Sequence, residues 1–355
     1  MTSTPATPPP LRDPLLTITR HGLYLPQADL HLDARTAPGA VFVSHAHADH
    51  CSYASRILCT PETAALHHAR RGHRASIDVP LDTPVRVADA DITLLSAGHA
   101  LGSAMLVARS AQGTVAYTGD YKLRPNPFTP PVRIPRCDVL VMECTFGEPR
   151  YRFPPDEDLI ARLQHFVADT LAAGATPVVL AYALGKGQEA LYHLTSAGFD
   201  VVLHGAIARM CEIHERLGYT FPGPGRWERY RRDEVGERVL LTIPATRKTG
   251  MVESLRTKRI VYLTGWAYHP GAFNIYKGCD LVLPLSDHAD FEELVRTAKE
   301  SGATRIYTVH GPPSFSHHLR SIGLDATHLA AHPQDAGQED ESSDCGPADQ
   351  LGLAL

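Results

Sequence analysis

No CxxC pair occurs among the seven cysteines (51, 59, 137, 144, 211, 279, 345), and their number is odd. This argues against a disulfide framework or a zinc ribbon and fits reduced cytosolic thiols. No uninterrupted apolar stretch approaches the roughly 18 residues of a membrane helix, and the N-terminus lacks the charged-then-apolar pattern of a signal peptide. A cytoplasmic location without a membrane partner is expected. There is no GxGxxG. Gly185-Lys186-Gly187 is not a P-loop either, because Leu180 takes the first glycine position and Gly187 stands where Ser or Thr would hold magnesium. Basic charge is not in general excess: the formal net charge of −5 excludes a uniformly basic surface but leaves room for a local basic groove. At 355 residues, 43% hydrophobic and 21% charged, the chain can fill one large soluble domain or two ordinary ones.

Histidine, by contrast, is concentrated. Ser44-His45-Ala46-His47-Ala48-Asp49-His50 follows the apolar run Ala40-Val41-Phe42-Val43, so four metal-capable side chains fall within six positions where a buried strand should end. In extended backbone His45, His47 and Asp49 point one way and His50 the other. A turn into helix near Asp49 would let one loop serve two adjacent ions. Imidazole and carboxylate donors suit zinc, and also manganese or iron.

Residues 1–13 read as a flexible arm, and short strands follow at Leu15–Ile18, Leu23–Leu25 and Ala28–Leu32. Thr60-Pro61-Glu62 opens a helix, with Thr60 capping and Pro61 in the first position. Strands at Ile92–Ser96, Thr114–Thr118 and Val139–Met142 run into Gly98-His99, Gly119-Asp120 and Glu143-Cys144-Thr145. After Pro149–Pro155 an amphipathic helix is predicted at Asp156–Ala173. Alternating strands and helices then imply a small parallel, Rossmann-like sheet. The first pattern resumes after Gly265-Trp266, with strands ending in Ser286-Asp287-His288 and in His310. Residues 331–355 are acidic and read as a disordered tail.

Each candidate ligand therefore stands at a strand end, and strands side by side bring such ends to one edge of a sheet. Sorted by chemistry, His45, His47 and His99 would hold one ion, Asp49, His50 and His310 a second, with Asp120 between them. Two cations about 3.5–4 Å apart lower the pKa of a shared water and neutralise an anionic transition state, which suits metal-activated hydroxide attack on a phosphodiester. Asp49 is also counted among the catalytic candidates. The leaving oxygen needs a proton donor: His288, hydrogen-bonded to Glu143, would keep its proton and serve as general acid.

HisAlaHisAlaAspHis resembles the HxHxDH signature of the metallo-β-lactamase fold. The pieces around His99, Asp120, Glu143, His288 and His310 resemble, in order, the later motifs of its β-CASP nucleases. The resemblance covers roughly residues 15–330 and is strongest to the bacterial ligase-associated DNA exonucleases, related to messenger-RNA 3′-end processing and DNA-repair nucleases. It implies an α/β fold, an αββα sandwich at 14–149 and 266–330, with a Rossmann-like cap inserted at 150–265. It also implies two divalent ions, zinc before manganese, an acid pair of Glu143 and His288, and His310 as a ligand. Two positions qualify it. Cys144 stands where the RNA-processing members have serine, and His310 is kept although DNA-repair relatives in eukaryotes replace it, so His310 does not decide between DNA and RNA.

Nucleic acid needs a basic track. Residues 226–259 hold ten basic against five acidic side chains, with Trp227 and Tyr230 interleaved as if to stack bases. Arg229, Arg231, Arg232, Arg247 and Lys248 are the candidate contacts there, and Lys186 with Gln188 could hold a terminal phosphate at a helix start. The expected function is thus a binuclear-metal DNA exonuclease of a repair pathway, with a DNA ligase or helicase as a possible partner. An RNA-processing nuclease, a thioester-type hydrolase and a metal-free scaffold are the alternatives.

Overall fold

The computed structural model describes residues 13–223, 225–231 and 235–329. Most of the expected arm, the acidic tail and Arg232 lie outside them. Asp13 does not belong to an arm: it is buried, accepts from the Tyr307 hydroxyl at 3.0 Å and pairs with Arg305 at 2.9 Å. Two partners far downstream, Arg305 and Tyr307, tie the first described residue into the fold.

Among the described residues there are three sheets. The first runs β1 (Thr17–Thr19), β2 (Gly22–Leu25), β3 (Leu30–Leu32), β4 (Ala40–Phe42), β5 (Arg56–Cys59) and β6 (Ala75–Asp78) in sequence order. Helix α1 (Pro61–Arg71) follows β5, capped by the Thr60 hydroxyl on Thr63 N as its sequence predicts. The second sheet begins with the meander β7 (Val85–Val87), β8 (Ala90–Ser96), β9 (Ala104–Ser110) and β10 (Gly113–Tyr117), and β11 (Val139–Glu143) joins β10 in parallel. The chain then leaves for the third sheet. That unit contains α2 (Asp156–Ala172), β12 (Thr176–Leu180), α3 (Lys186–Ser196), β13 (Val201–Leu203), α4 (Gly205–Arg216), β14 (Trp227–Arg229), β15 (Val239–Thr242), a short α5 (Gly250–Glu253), β16 (Lys258–Leu263), a short α6 (Ala272–Ile275) and β17 (Leu281–Leu283). Every pairing in it is parallel, in the order β14-β13-β15-β12-β16-β17. Helix α7 (Phe291–Glu300), β18 (Arg305–Val309), α8 (Pro313–Ser321) and β19 (Ala326–His328) return to the second sheet, where β18 lies beside β11.

The parallel unit therefore extends to Leu283, beyond the boundary at 265. The strand expected at Leu281–Leu285 as part of the first architecture forms over Leu281–Leu283 and pairs with β16 instead. An apolar tripeptide satisfies either sheet, so its own sequence could not choose.

Packing explains the layers. Leu30, Phe42 and Leu58 of the first sheet share one buried core with Leu94, Leu106, Val115 and Val141 of the second. The opposite face of the second sheet buries Met105, Leu140 and Ile306 against Phe291 and Leu294 of α7 and Phe315 of α8. The opposite face of the first sheet covers Val41 and Ile57 with Ala64 of α1. Alternate residues of β8 are buried, as a strand with one face inward requires. No described helix is long and apolar enough to cross a membrane.

Candidate metal centre

Register decides which distant residues meet. Glu143 is the last residue of β11 and pairs with Val309 of β18, so His310 follows alongside it despite the long excursion between the strands. Asp120 follows β10, and His99 lies in the turn between β8 and β9, whose ends Ser96 and Ala104 pair. The 44–50 loop comes from the other sheet, after β4. The ligands are thus gathered at the seam of two sheets rather than along one sheet edge. Glycine makes the seam close: a Cβ at Gly119 (φ +53°) would lie 2.5 Å from Ser44 Cβ, and one at Gly311 would lie 2.0 Å from Cys144 O. No helix forms at Asp49. His50 N and Cys51 N instead turn back onto His47 O at 3.2 and 3.0 Å.

His45, His47, His99 and Asp120 converge, each offering one donor atom within 4.8 Å of the others. His45 Nε2 and His99 Nε2 stand 3.0 and 2.9 Å from His47 Nδ1. The far ring nitrogens are committed elsewhere. His47 Nε2 faces Leu184 O at 3.1 Å, His99 Nδ1 faces Asp287 O at 2.9 Å, and His45 Nδ1 faces Ser44 Oγ at 2.9 Å. Ser44 Oγ itself donates to Asp33 Oδ2 at 2.6 Å, so it accepts from His45. The inward nitrogens of three neutral rings are therefore lone pairs pointed at one another. Burial, then His50 and His99, hold His45 well below the ordinary histidine range; burial and His47 push His99 to about 4. Three facing lone pairs repel unless a cation lies between them, so the donor set fits a bound metal ion.

The second set is more open. His50 Nε2 is 3.2 Å from Asp120 Oδ2 and 3.6 Å from Asp49 Oδ2, and its ring lies 5.3 Å from that of His310. Burial would lower the His50 pKa, but Asp120, Asp49 and Asp33 raise it well above the usual range. A proton there occupies charge space that a cation would take, and metal binding would displace it. His310 is exposed and adopts φ +50°, a conformation uncommon for a side-chain-bearing residue.

Beside both sets, His288 Nδ1 lies 3.0 Å from each oxygen of Glu143, and Asp120, Glu143 and His288 form a further convergent group. Tyr121 N and the Thr145 hydroxyl donate to the same carboxylate. Burial would lower the His288 pKa; Glu143 and Asp120 overcome it and push it up to about 10. Cys144 is a packing residue: its buried thiol reaches Val309 O at 3.4 Å, and burial pushes its pKa up to about 12.

Sequence reading missed Asp33. It follows β3 and accepts from Ser44 N, Ser44 Oγ, Tyr117 OH and His50 Nδ1 at 2.6–2.8 Å, aligning two candidate ligands at once. An aspartate at another strand end was the available signal.

No family model matches the chain. It is 37% identical over 310 residues to a protein of Opitutus terrae named "Probable DNA ligase", covering 86% of this chain and 30% of that one. It is 28% identical over 220 residues to "Transcription termination factor FttA" of Lokiarchaeum, covering 49% of this chain and 34% of that one. The chain thus spans about a third of the length of either relative. These likenesses are consistent with the resemblance to the β-CASP nucleases. A protein of unknown function from Enterococcus faecalis has a similar fold, with a TM-score of 0.58 at 15% identity over 82% of this chain and 79% of that one.

The expected nucleic-acid contacts fare unevenly. Lys186 is buried, pairs with Asp287 at 3.0 Å and lies 4.6 Å over the Tyr182 ring. Gln188 is spent inside its own turn, accepting from Gly185 N and donating to Ala183 O. Neither is available to a terminal phosphate. Trp227 packs on the core of the parallel sheet on one face and Tyr230 on the other, so they make no stacking platform. Arg229 and Arg231 are exposed at the edge strand β14, Arg229 being 3.5 Å from Glu212. Arg247 and exposed Lys248 sit in the turn Pro244–Lys248, which follows β15 at the sheet edge where β12 leads to Leu184 and the metal loop.

Proposed function

We propose that the protein is a binuclear-metal phosphodiesterase that trims nucleic acid, DNA in preference to RNA. We read the two facing sheets with their outer helices as the αββα sandwich of the metallo-β-lactamase fold and the parallel unit as its β-CASP cap. The observation that carries the reading is the convergence of His45, His47, His99 and Asp120 beside the Glu143–His288 pair. His45, His47 and His99 would hold one divalent ion, Asp49, His50 and His310 the other, with Asp120 between. Zinc suits these donors best and manganese next. When bound, such ions would activate water and neutralise the charge of an in-line displacement. The chain's own groups do the rest. Asp33 and the carbonyls of Leu184 and Asp287 orient the imidazoles, and Glu143 keeps His288 protonated so that it can hand its proton to the leaving oxygen. Arg247 and Lys248 would draw the phosphate backbone toward the centre.

DNA is preferred because the relative matching most of this chain carries a DNA ligase name, which also suggests a ligase or helicase of a repair pathway as partner and a cytoplasmic setting. The likeness to a transcription termination factor supports RNA processing as the second reading. The test is digestion of 5′- and 3′-labelled single- and double-stranded DNA and RNA with zinc or manganese. Cleavage of DNA from an end is expected; a wide preference for RNA overturns the substrate, and no cleavage of any strand overturns the function.

A further inference from the structure

A cleft of about 510 Å³, within the size range of ligand pockets, opens beside His310 between Thr145, Arg150, Tyr151, Trp266 and His269. Its inner end touches the proposed proton-donating pair, since the Thr145 hydroxyl donates to Glu143 and lies 3.2 Å from His310 O. Its wall is aromatic. Buried Phe146 holds Trp266 and Tyr151 at ring distances of 4.9 and 5.0 Å, leaving the indole half-buried rather than enclosed. The half-exposed Arg150 faces Glu148 at 2.7 Å, a surface pair weak enough for a phosphate to compete with. Outward along the same segment Tyr268 is 41% and Phe273 84% exposed.

We propose that this cleft is a single-strand nucleotide subsite on the leaving-group side of the scissile bond, with a base against Trp266 and its phosphate at Arg150. The inference rests on the nuclease reading and adds the strand's path and its single-stranded form. A base within a duplex has both faces covered by its neighbours, whereas an unpaired base can lay its face on an indole. The leaving-group side follows from Thr145, which joins the cleft to the carboxylate that serves His288.

The chain has two tryptophans, so each can report alone. Full-length Trp227→Phe protein, with Trp266 as sole reporter, is titrated with a phosphorothioate oligothymidylate and with a duplex of equal length. Saturable quenching by the single strand and little by the duplex is expected. Trp266→Phe protein should show no quenching of Trp227. Arg150→Ala, at an exposed position, should weaken strand binding at least about fivefold with an unchanged melting temperature, and Arg150→Lys should restore part of it. A silent Trp266 in protein that cuts DNA overturns the subsite and leaves the nuclease reading standing. Quenching in protein that cuts nothing supports single-strand binding in the cleft but sinks the nuclease reading, and with it the leaving-group assignment. Equal quenching by duplex, or unchanged affinity in Arg150→Ala, overturns the subsite.

Discussion

At the scale of single residues, the decisive feature is that each imidazole of the first cluster spends one nitrogen on a fixed acceptor and aims the other inward. Asp33 joins the two sets, aligning His45 of the first by way of Ser44 and His50 of the second directly. Asp33→Asn should lower metal affinity roughly 10- to 100-fold, as losses of such orienting carboxylates do, read by competition with a chromogenic chelator. Unchanged affinity would show that the imidazoles orient themselves. Glu143 sets the second residue-scale expectation. Its carboxylate favours protonated His288, whose acid form is present below its pKa and lost as pH rises through about 10. In Glu143→Gln that support is gone, so the alkaline limb of the pH–rate profile should move to lower pH. An alkaline limb that stays put would remove His288 from the proton-transfer role.

At the scale of elements, the start of α3 reaches the centre three times. Leu184 O meets His47, Lys186 pairs with Asp287, and Glu189 accepts from Lys122, two residues beyond Asp120, at 2.8 Å. Lys122 is wholly buried, and Glu189 and Asp156 overcome that burial to raise its pKa. Glu189→Gln would strand a buried ammonium. It should cost about 3 kcal/mol, the low end for a broken buried pair, because Asp156 remains 3.6 Å away. Urea unfolding measures this, and the double variant Lys122→Met/Glu189→Leu should recover most of the loss. That a helix starts here was legible from the sequence, but the burial of its polar start was not. Lys186 and Gln188 looked like solvent-facing phosphate ligands because sequence shows a helix start without showing what packs over it.

At the scale of the whole molecule, the centre lies at the seam of two sheets, with a third sheet inserted between β11 and β18. Metal should therefore hold the assembly together as well as support catalysis. Two ions per chain are expected by elemental analysis, and chelation should abolish cleavage and lower the melting temperature through the lost binding energy. One ion per chain or fewer would sink the binuclear account. The net charge of −5 makes strand binding depend on local basic groups. Arg247→Ala/Lys248→Ala should raise KM for DNA and flatten the dependence of binding on salt by up to about two phosphate contacts. An unchanged salt slope would place the strand elsewhere.

The sequence by itself determined which side chains could bind metal and that each ends a strand, because donor chemistry and hydrophobic patterning are local. It also determined the insertion of a parallel unit, since alternating strand and helix periods are local too. Only the tertiary structure decided that β17 joins that unit, that Asp33 aligns the ligands, and that Lys186, Trp227 and Tyr230 are committed to packing. Those outcomes depend on what lies across a contact between segments far apart in the chain, and neither composition nor spacing encodes that directly.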